Sequence, residues 1–414
     1  MSDGWTSGNK IQLLENGEEF FPRILDVIRG AQREILLETF IIRDDKVGQL
    51  VKQVLIQAAG RGVQIALTVD GYGSYFLPAE FITELSQAGV VFSMYDPPPK
   101  WMSFRTNVFR RLHRKLLVVD GRVAFVGGIN LSYNHLCEYG PEGKQDYAVE
   151  VHGPIVNQIR HFMIAQLHNH FEVNESFNKV SVNEVSESKG SSEIVFATRD
   201  NDRHHTDIEG YYLQQVRAAR HHITIANAYF FPGYRLLKEL RNAARRGVKV
   251  RLVIQGKPGS TLAMKTAPML YEFLVESDID VYEYWERPLH GKIAAIDDEW
   301  STVGSSNLDP LSLSLNLEAN LFIRDKQFNA QLQRHMEKLM QQSKIRKIND
   351  NWIHRRTLWK WMRTMVVFHF LRHFPAWAGW LPAHTPRIVR GTSASDKLGS
   401  DYKNTHYKDT HENC

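Results

Sequence analysis

The sequence predicts an α/β fold made of two similar halves, each a mostly parallel sheet flanked by helices, packed with the functional site at their interface. Three observations predict it. A five-residue signature, H-x-K-x4-D-x6-G-x2-N, occurs twice with identical gaps: His113, Lys115, Asp120, Gly127 and Asn130, then His290, Lys292, Asp297, Gly304 and Asn307. The copies stand 177 residues apart, and two copies with one internal spacing point to a duplicated unit. The likeness extends upstream, where Ala58 to Gly71 parallels Ala243 to Gly256. Strand-like runs alternate with helix-like ones throughout.

Taken in chain order, each element has a local reason. Ile35-Leu36-Leu37 and Ile223-Thr224-Ile225 are short apolar runs that read as equivalent strands before a helix. That helix ends near Arg61-Gly62 in one half and Arg246-Gly247 in the other, where glycine suits a helix terminus. A β-branched strand follows in each. The signature itself starts on a strand: His113-Arg114-Lys115 runs into Leu116 to Val119 and a turn at Asp120-Gly121, and His290 to Lys292 runs into Ile293 to Ile296 and Asp297-Asp298. A further apolar run, Val123 to Val126 or Ser301 to Val303, leads to a small-residue turn ending at Asn130 or Asn307. The halves are expected at about 10–172 and 193–345. Between them, 173–192 is rich in Ser, Asn, Glu and Val and reads as a linker. A basic aromatic segment occupies 346–390, and the polar stretch 391–414 reads as a disordered tail.

The 414 residues suffice for two cores of ordinary size, and 43% hydrophobic with 23% charged residues is a globular composition. The net charge of +5 is local in origin. Residues 351–390 hold seven Lys or Arg and no acid, Lys100 to Lys115 hold six and no acid, and the remainder is net acidic. Such placement suggests anionic partners at particular faces. Cys137 and Cys414 are the only cysteines, which argues against a structural disulfide and for a reducing compartment. Met1 to Lys10 lacks a charged-then-apolar signal pattern. No run of about 20 apolar residues exists, so no transmembrane helix is expected.

Strand periodicity places His113 and Lys115 on one face and Arg114 on the other, and likewise pairs His290 with Lys292. A neutral imidazole beside an ammonium suits attack on phosphorus, with one group as nucleophile and the other neutralising phosphate oxygens. The amides of Asn130 and Asn307, with the turn that holds Ser305, are candidate phosphate donors. Asp120 and Asp297, counted with the catalytic set, lean towards a structural or electrostatic role, because aspartate favours turns. His135, His152, His204 and His205 read as structural, and no ligand frame supports a metal. Near the end, Leu358, Trp361, Met362 and Met365 share one helical face and Arg356, Lys360 and Arg363 the other, and five of nine Trp fall between Trp352 and Trp380. That pattern reads as an interfacial anchor for anionic lipid, or as a helix packed on the protein's own core.

The paired H-x-K-x4-D motifs resemble the phospholipase D superfamily. Asp146, 33 residues after His113, and Glu318, 28 after His290, sharpen the match. In that superfamily an acid at about this distance hydrogen-bonds the catalytic imidazole. Gly304 to Glu318, Arg105 to Arg111 and Phe370 to Pro375 resemble the bacterial cardiolipin synthases, the B type above all, over roughly residues 8 to 390. The resemblance implies phosphatidyl transfer from one phosphatidylglycerol to another through a covalent phosphatidyl-histidine, with His113 as nucleophile, His290 as general acid and base, and no cofactor or metal. It also implies an anionic phospholipid membrane as partner and a peripheral position on the cytoplasmic face of the bacterial cell membrane. Another headgroup donor such as phosphatidylethanolamine, water as acceptor, a nucleic-acid phosphodiester, or a non-catalytic lipid-binding role would share the motifs. The clustered Trp and Met favour lipid over nucleic acid.

Overall fold

Two runs of seven strands, related strand for strand, form the fold. The computed structural model describes residues 4–97, 110–170, 187–257, 270–271, 273–345, 366 and 388–391. The first run is β1 (Thr6–Glu15), α1 (Asn16–Arg29), β2 (Glu34–Thr39), α2 (Lys46–Gly60), β3 (Gln64–Asp70), α3 (Ala79–Gln87), β4 (Val91–Tyr95), β5 (Leu116–Val119), β6 (Val123–Gly127), β7 (Tyr147–His152) and α4 (Ile155–His170). The second is β8 (Ser192–Arg199), α5 (Asp207–Ala218), β9 (His222–Asn227), α6 (Tyr234–Arg245), β10 (Lys249–Gln255), β11 (Asp280–Tyr284), β12 (Lys292–Ile296), β13 (Trp300–Gly304), α7 (Pro310–Ser314), β14 (Glu318–Arg324) and α8 (Lys326–Gln341). β15 (Ser343–Ile345) and β16 (Ile388–Arg390) add one outer strand to each side.

The equivalent helices α2 and α6 stop for the same reason. Gly62 and Gly247 follow them at φ +87° and +88°, a left-handed conformation that glycine takes without a Cβ penalty. The arginine before each glycine reaches back to the neighbouring helix end. Arg61 donates to the Arg29 carbonyl at 2.8 Å and Arg246 to that of Val216 at 3.0 Å. These contacts pin the entry to β3 and β10.

The strand order is β16-β4-β3-β2-β5-β6-β7-β1-β8-β14-β13-β12-β9-β10-β11-β15, a palindrome about the β1–β8 pair. Here the structure corrects the expectation of mostly parallel sheets. Only β2–β3, β3–β4, β9–β10 and β10–β11 pair in parallel, while the other described ladders are antiparallel. The physical cause is connection length. A helix-bearing crossover joins β2 to β3, as parallel pairing requires, whereas three residues join β5 to β6 and force them antiparallel. The expectation rested on strands alternating with helices, a pattern that holds from β1 to β4 but not from β5 to β7, where no α-helix intervenes.

The two sides share one core. Leu13, Val126, Val149 and Ile155 cluster with Val303, Leu321, Leu332 and Met336, and β6 and β7 lie against β13 and β14. Separate cores under α1–α3 and under α5–α6 close the outer faces. Among the described residues no helix is long and apolar enough to cross a membrane. Cys137 is an exposed free thiol. The basic stretch Lys100 to Arg105, linker residues 173–186, the tail beyond 391 and the basic aromatic segment, Val366 and β16 apart, lie outside the described residues.

Candidate active site

The antiparallel registers bring chemistry to one edge of each run. β5 starts beside the end of β2, pairing Leu116 with Glu38, so His113 sits at the C-terminal edge of the parallel strands. In the second run Lys292 pairs with Asn227 at the end of β9, and His290 lies at the matching edge. The expected alternation is present. Lys115 donates to the His113 carbonyl at 2.6 Å and stands 5.3 Å over the Phe40 ring, whose edge meets His113. Arg114 faces away, paired with Glu38 and stacked on Phe162.

Each motif is docked on the other run by backbone bonds. The His113 N–H donates to the Leu317 carbonyl at 2.9 Å, and the Leu317 N–H to that of Arg111 at 2.8 Å. The His290 N–H donates to the Gln145 carbonyl at 2.8 Å, and the Gln145 N–H to that of Pro288 at 2.9 Å. Consequently the acids are crossed. His113 Nδ1 donates to Glu318 Oε2 at 3.0 Å, and His290 Nδ1 to Asp146 Oδ2 at 2.6 Å. Neither acid holds the imidazole of its own motif. A carboxylate on Nδ1 fixes the proton there and leaves Nε2 with its lone pair.

Burial sets the charges. All of His113, Lys115, Asp146, His290, Lys292 and Glu318 are buried. Desolvation lowers the His113 pKa, with Glu318 opposing it, and lowers that of His290 well below the ordinary value, with Lys292 adding to the effect. Desolvation also brings Lys115 down to about 7 and Lys292 to about 8, against the pull of Glu318 and Asp146. Burial pushes Glu318 up, but His113, Lys115 and Ser305 outweigh it and hold the carboxyl below its usual range. Burial therefore favours the neutral form of both imidazoles and brings the pKa of both lysines close to neutrality.

The remaining expected residues fall into two groups. Asn130 and Asn307 are buried in the turns beside the site. Asn130 Oδ1 accepts from the Ile41 N–H at 3.2 Å, and Asn307 Oδ1 has no protein partner. Ser305 is a correction, because its backbone N–H donates to the Ala319 carbonyl at 2.9 Å and its hydroxyl is engaged as well. The hydroxyl donates to Glu318 Oε2 and accepts from the Ala319 N–H at 3.1 Å. The turn after β13 packs on the start of β14, which brings the first serine onto the acid. At the equivalent place Gly128 leaves room for Asp146, since a Cβ there would lie 2.3 Å from Oδ1.

Asp120 and Asp297 leave the catalytic set, since neither lies in the site, and both have the structural role their turns suggested. They stand seven residues of extended chain, about 20 Å, beyond their histidines. Asp120, at φ +54°, accepts from the N–H groups of Gln32, Arg33 and Glu34. Asp297, at φ +47°, accepts from those of Arg220, His221 and His222. Each ties its turn to the entry of the neighbouring parallel strand.

His135, read from the sequence as structural, lies beside the site. It is fully buried, its ring 5.6 Å from that of His290 and its Nδ1 3.7 Å from Asp146 Oδ2. The Asn130 N–H donates to its Nε2 at 3.3 Å, which places the ring proton on Nδ1, a nitrogen with no hydrogen-bond partner among the described residues. Five residues after Asn130 in a loop leading to Asp146 was the available signal. His135, Asp146 and His290 lie within 4.8 Å of one another, a conceivable donor set for a metal. The 2.6 Å between His290 Nδ1 and Asp146 Oδ2 is hydrogen-bond spacing, tighter than the roughly 3.3 Å between two ligands of a tetrahedral zinc. Lys292 Nζ also stands 3.0 Å from that nitrogen, so the geometry fits a shared proton better than a cation.

A large mixed sheet carrying twin His-Lys half-sites, each backed by a carboxylate from across the molecule, defines a phospholipase D-like protein. A family model described as the phospholipase D-like domain of cardiolipin synthase matches residues 24–172 and 212–340. The chain is 48% identical to cardiolipin synthase B of Salmonella typhimurium and of Escherichia coli over 390 residues, 94% of each chain. It is 31% identical to cardiolipin synthase A of Pseudomonas fluorescens over 80% of this chain and 68% of that one. The chain belongs to the phospholipase D-like cardiolipin synthase family. Among solved structures, the phosphatidylserine synthase of Haemophilus influenzae shares the fold at a TM-score of 0.63 and 14% identity, covering 87% of this chain and 93% of that one.

Proposed function

We propose that this chain is a cardiolipin synthase, moving a phosphatidyl group from one phosphatidylglycerol to another with release of glycerol. The observation that carries the reading is the crossed pair of imidazole–carboxylate contacts beside two buried lysines, in a chain of this family. The working unit is the pair of halves, with the active site where they meet. Asp146 completes the second half-site and Glu318 the first.

The reaction runs as two displacements. Nε2 of neutral His113 attacks phosphorus, and the bond from phosphorus to the glycerol oxygen breaks. His290, as imidazolium, gives that oxygen a proton. Because burial disfavours imidazolium at His290, the anionic phosphodiester and Asp146 together stabilise it, so the acid forms with substrate bound. Neutral His290 then takes the proton of the incoming hydroxyl, whose oxygen attacks phosphorus and breaks the bond to His113. Lys115 and Lys292, with the Asn130 and Asn307 amides, neutralise the oxygens that gain charge in each transition state. Peripheral attachment to the cytoplasmic face of an anionic membrane fits this chemistry, since both substrates reside in a bilayer.

The test is mass spectrometry of lipids after incubating purified protein with phosphatidylglycerol vesicles, beside His113→Ala and His290→Ala. Cardiolipin and glycerol formed by wild type alone support the reading. Phosphatidic acid as the sole product makes the protein a hydrolase. No conversion by folded, vesicle-bound protein removes phosphatidylglycerol as donor.

A further inference from the structure

Among the described residues, seven of the ten large exposed hydrophobic side chains stand in the segments that join strands at the edges carrying the two motifs. They are Tyr72, Tyr75 and Phe76 after β3, Tyr139 between β6 and β7, Tyr234 after β9, Trp285 after β11 and Leu311 between β13 and β14. Single exposed apolar residues need no explanation, but a gathering on one functional edge does. Phe76 is the extreme case, at 80% exposed.

The loop that presents Phe76 is built to hold it there. The buried Asp70 carboxylate accepts from the N–H groups of Tyr72 at 2.8 Å and Gly73 at 2.9 Å, which folds the turn. Ser74 Oγ donates to the Phe40 carbonyl at 3.2 Å and accepts from the Ile42 N–H at 3.0 Å. Gly73 presses so closely on that carbonyl that a Cβ would lie 2.3 Å from it. The same Asp70 carboxylate accepts from the N–H of Leu112, the neighbour of His113, at 2.8 Å. Arg111 stacks on Tyr72 at 4.4 Å, and the rings of Tyr75 and Phe76 meet edge to face at 5.2 Å. One set of bonds thus fixes both the aromatic tip and the start of the first motif.

We propose that the loop from Gly71 to Leu77 is a bilayer-contact element, Phe76 its inserting residue, and that it seats the active-site edge on a phospholipid surface. The occupant is argued from continuity and chemistry. The edge is the one through which, on the function proposed above, a membrane-resident phosphodiester must enter. The surrounding residues are mainly Tyr and Trp, which favour the zone where headgroups meet acyl chains. They are spread over such segments of both halves, as contact with an extended surface requires and a single peptide groove does not.

The experiment compares full-length wild type with Phe76→Ser and Phe76→Trp. Binding to phosphatidylglycerol vesicles is measured by flotation. Turnover is measured on those vesicles and on monomeric dihexanoyl phosphatidylglycerol below its micelle threshold. Losing one interfacial aromatic anchor is expected to weaken vesicle binding about tenfold, the equivalent of about 1.4 kcal/mol. Vesicle turnover at limiting lipid falls in step, monomer turnover stays within about twofold, and Phe76→Trp restores both. Unchanged vesicle binding in Phe76→Ser overturns the proposal, and so does an equal loss on the monomeric lipid. If wild type converts neither lipid, the enzymatic reading fails instead, and the flotation result alone still decides the docking.

Discussion

Gly128→Ala tests the crossed arrangement without touching a charge or a motif residue. The added methyl would sit 2.3 Å from Asp146 Oδ1 and 3.0 Å from its Cγ and Oδ2. Ordinary contact begins near 3.4 Å, so the carboxylate must withdraw by roughly 1 Å. It is fully buried, between His290 and the Tyr147 N–H, which donates to Oδ1 at 2.9 Å, so retreat breaks one of those bonds. A displacement of about 1 Å in a catalytic group costs on the order of 100-fold in rate. On the proposed mechanism His290 is acid in one step and base in the next, so the loss is expected in kcat, with KM for phosphatidylglycerol nearly unchanged. Overpacking costs about 1–3 kcal/mol, small enough for the variant to fold. Steady-state kinetics beside a thermal melt check this. A folded Gly128→Ala enzyme with kcat within about threefold of wild type would refute the claim that Asp146 governs His290.

Other expectations follow from the same geometry. Lys115→Gln removes a buried charge from the phosphate site and should lower kcat by about 100- to 1,000-fold without unfolding the chain, measured on the same vesicles. The pH profile of kcat/KM should fall on the acid side as His113 protonates, below the usual histidine range because its pKa is lowered. It should fall on the basic side as Lys115 and Lys292 lose their protons, near pH 7 to 8, and a profile flat through that window contradicts the assignment. Asp120→Ala removes the acceptor of three backbone N–H groups, two of them open to water, and should destabilise by about 1 kcal/mol in a denaturant melt, with kcat retained by the folded fraction. His135→Asn should lower kcat and shift the pH profile through Asp146, whereas a purely structural role would lower stability alone.

Much of this site was legible in the sequence. Period-two alternation placed His113 with Lys115 and Arg114 apart from them, and the extended residues just before β5 have that arrangement. The helix ends at Gly62 and Gly247 were legible because glycine at a left-handed position is a local requirement. The crossing of Asp146 and Glu318 was not, because separation along the chain carries no information about which half an acid serves. That depends on Leu112 bridging Leu317 and Gln145 bridging Leu289, contacts between distant segments. The antiparallel centre was hidden because strands buried on both faces look alike in either direction. His135 escaped because a lone histidine in a loop has no periodicity, and its place beside His290 is purely tertiary.

The central claim is a covalent phosphatidyl group on His113, assisted by His290 across the halves. Its direct measurement is mass spectrometry of proteolytic peptides from protein mixed briefly with phosphatidylglycerol and quenched in alkali, which preserves a phosphorus–nitrogen bond. The account predicts a phosphatidyl adduct on the peptide bearing His113, absent in His113→Ala and longer-lived in Asp146→Asn, where His290 is a poor base for the second step. An adduct on the His290 peptide alone, or steady cardiolipin formation with no adduct on either, would contradict it.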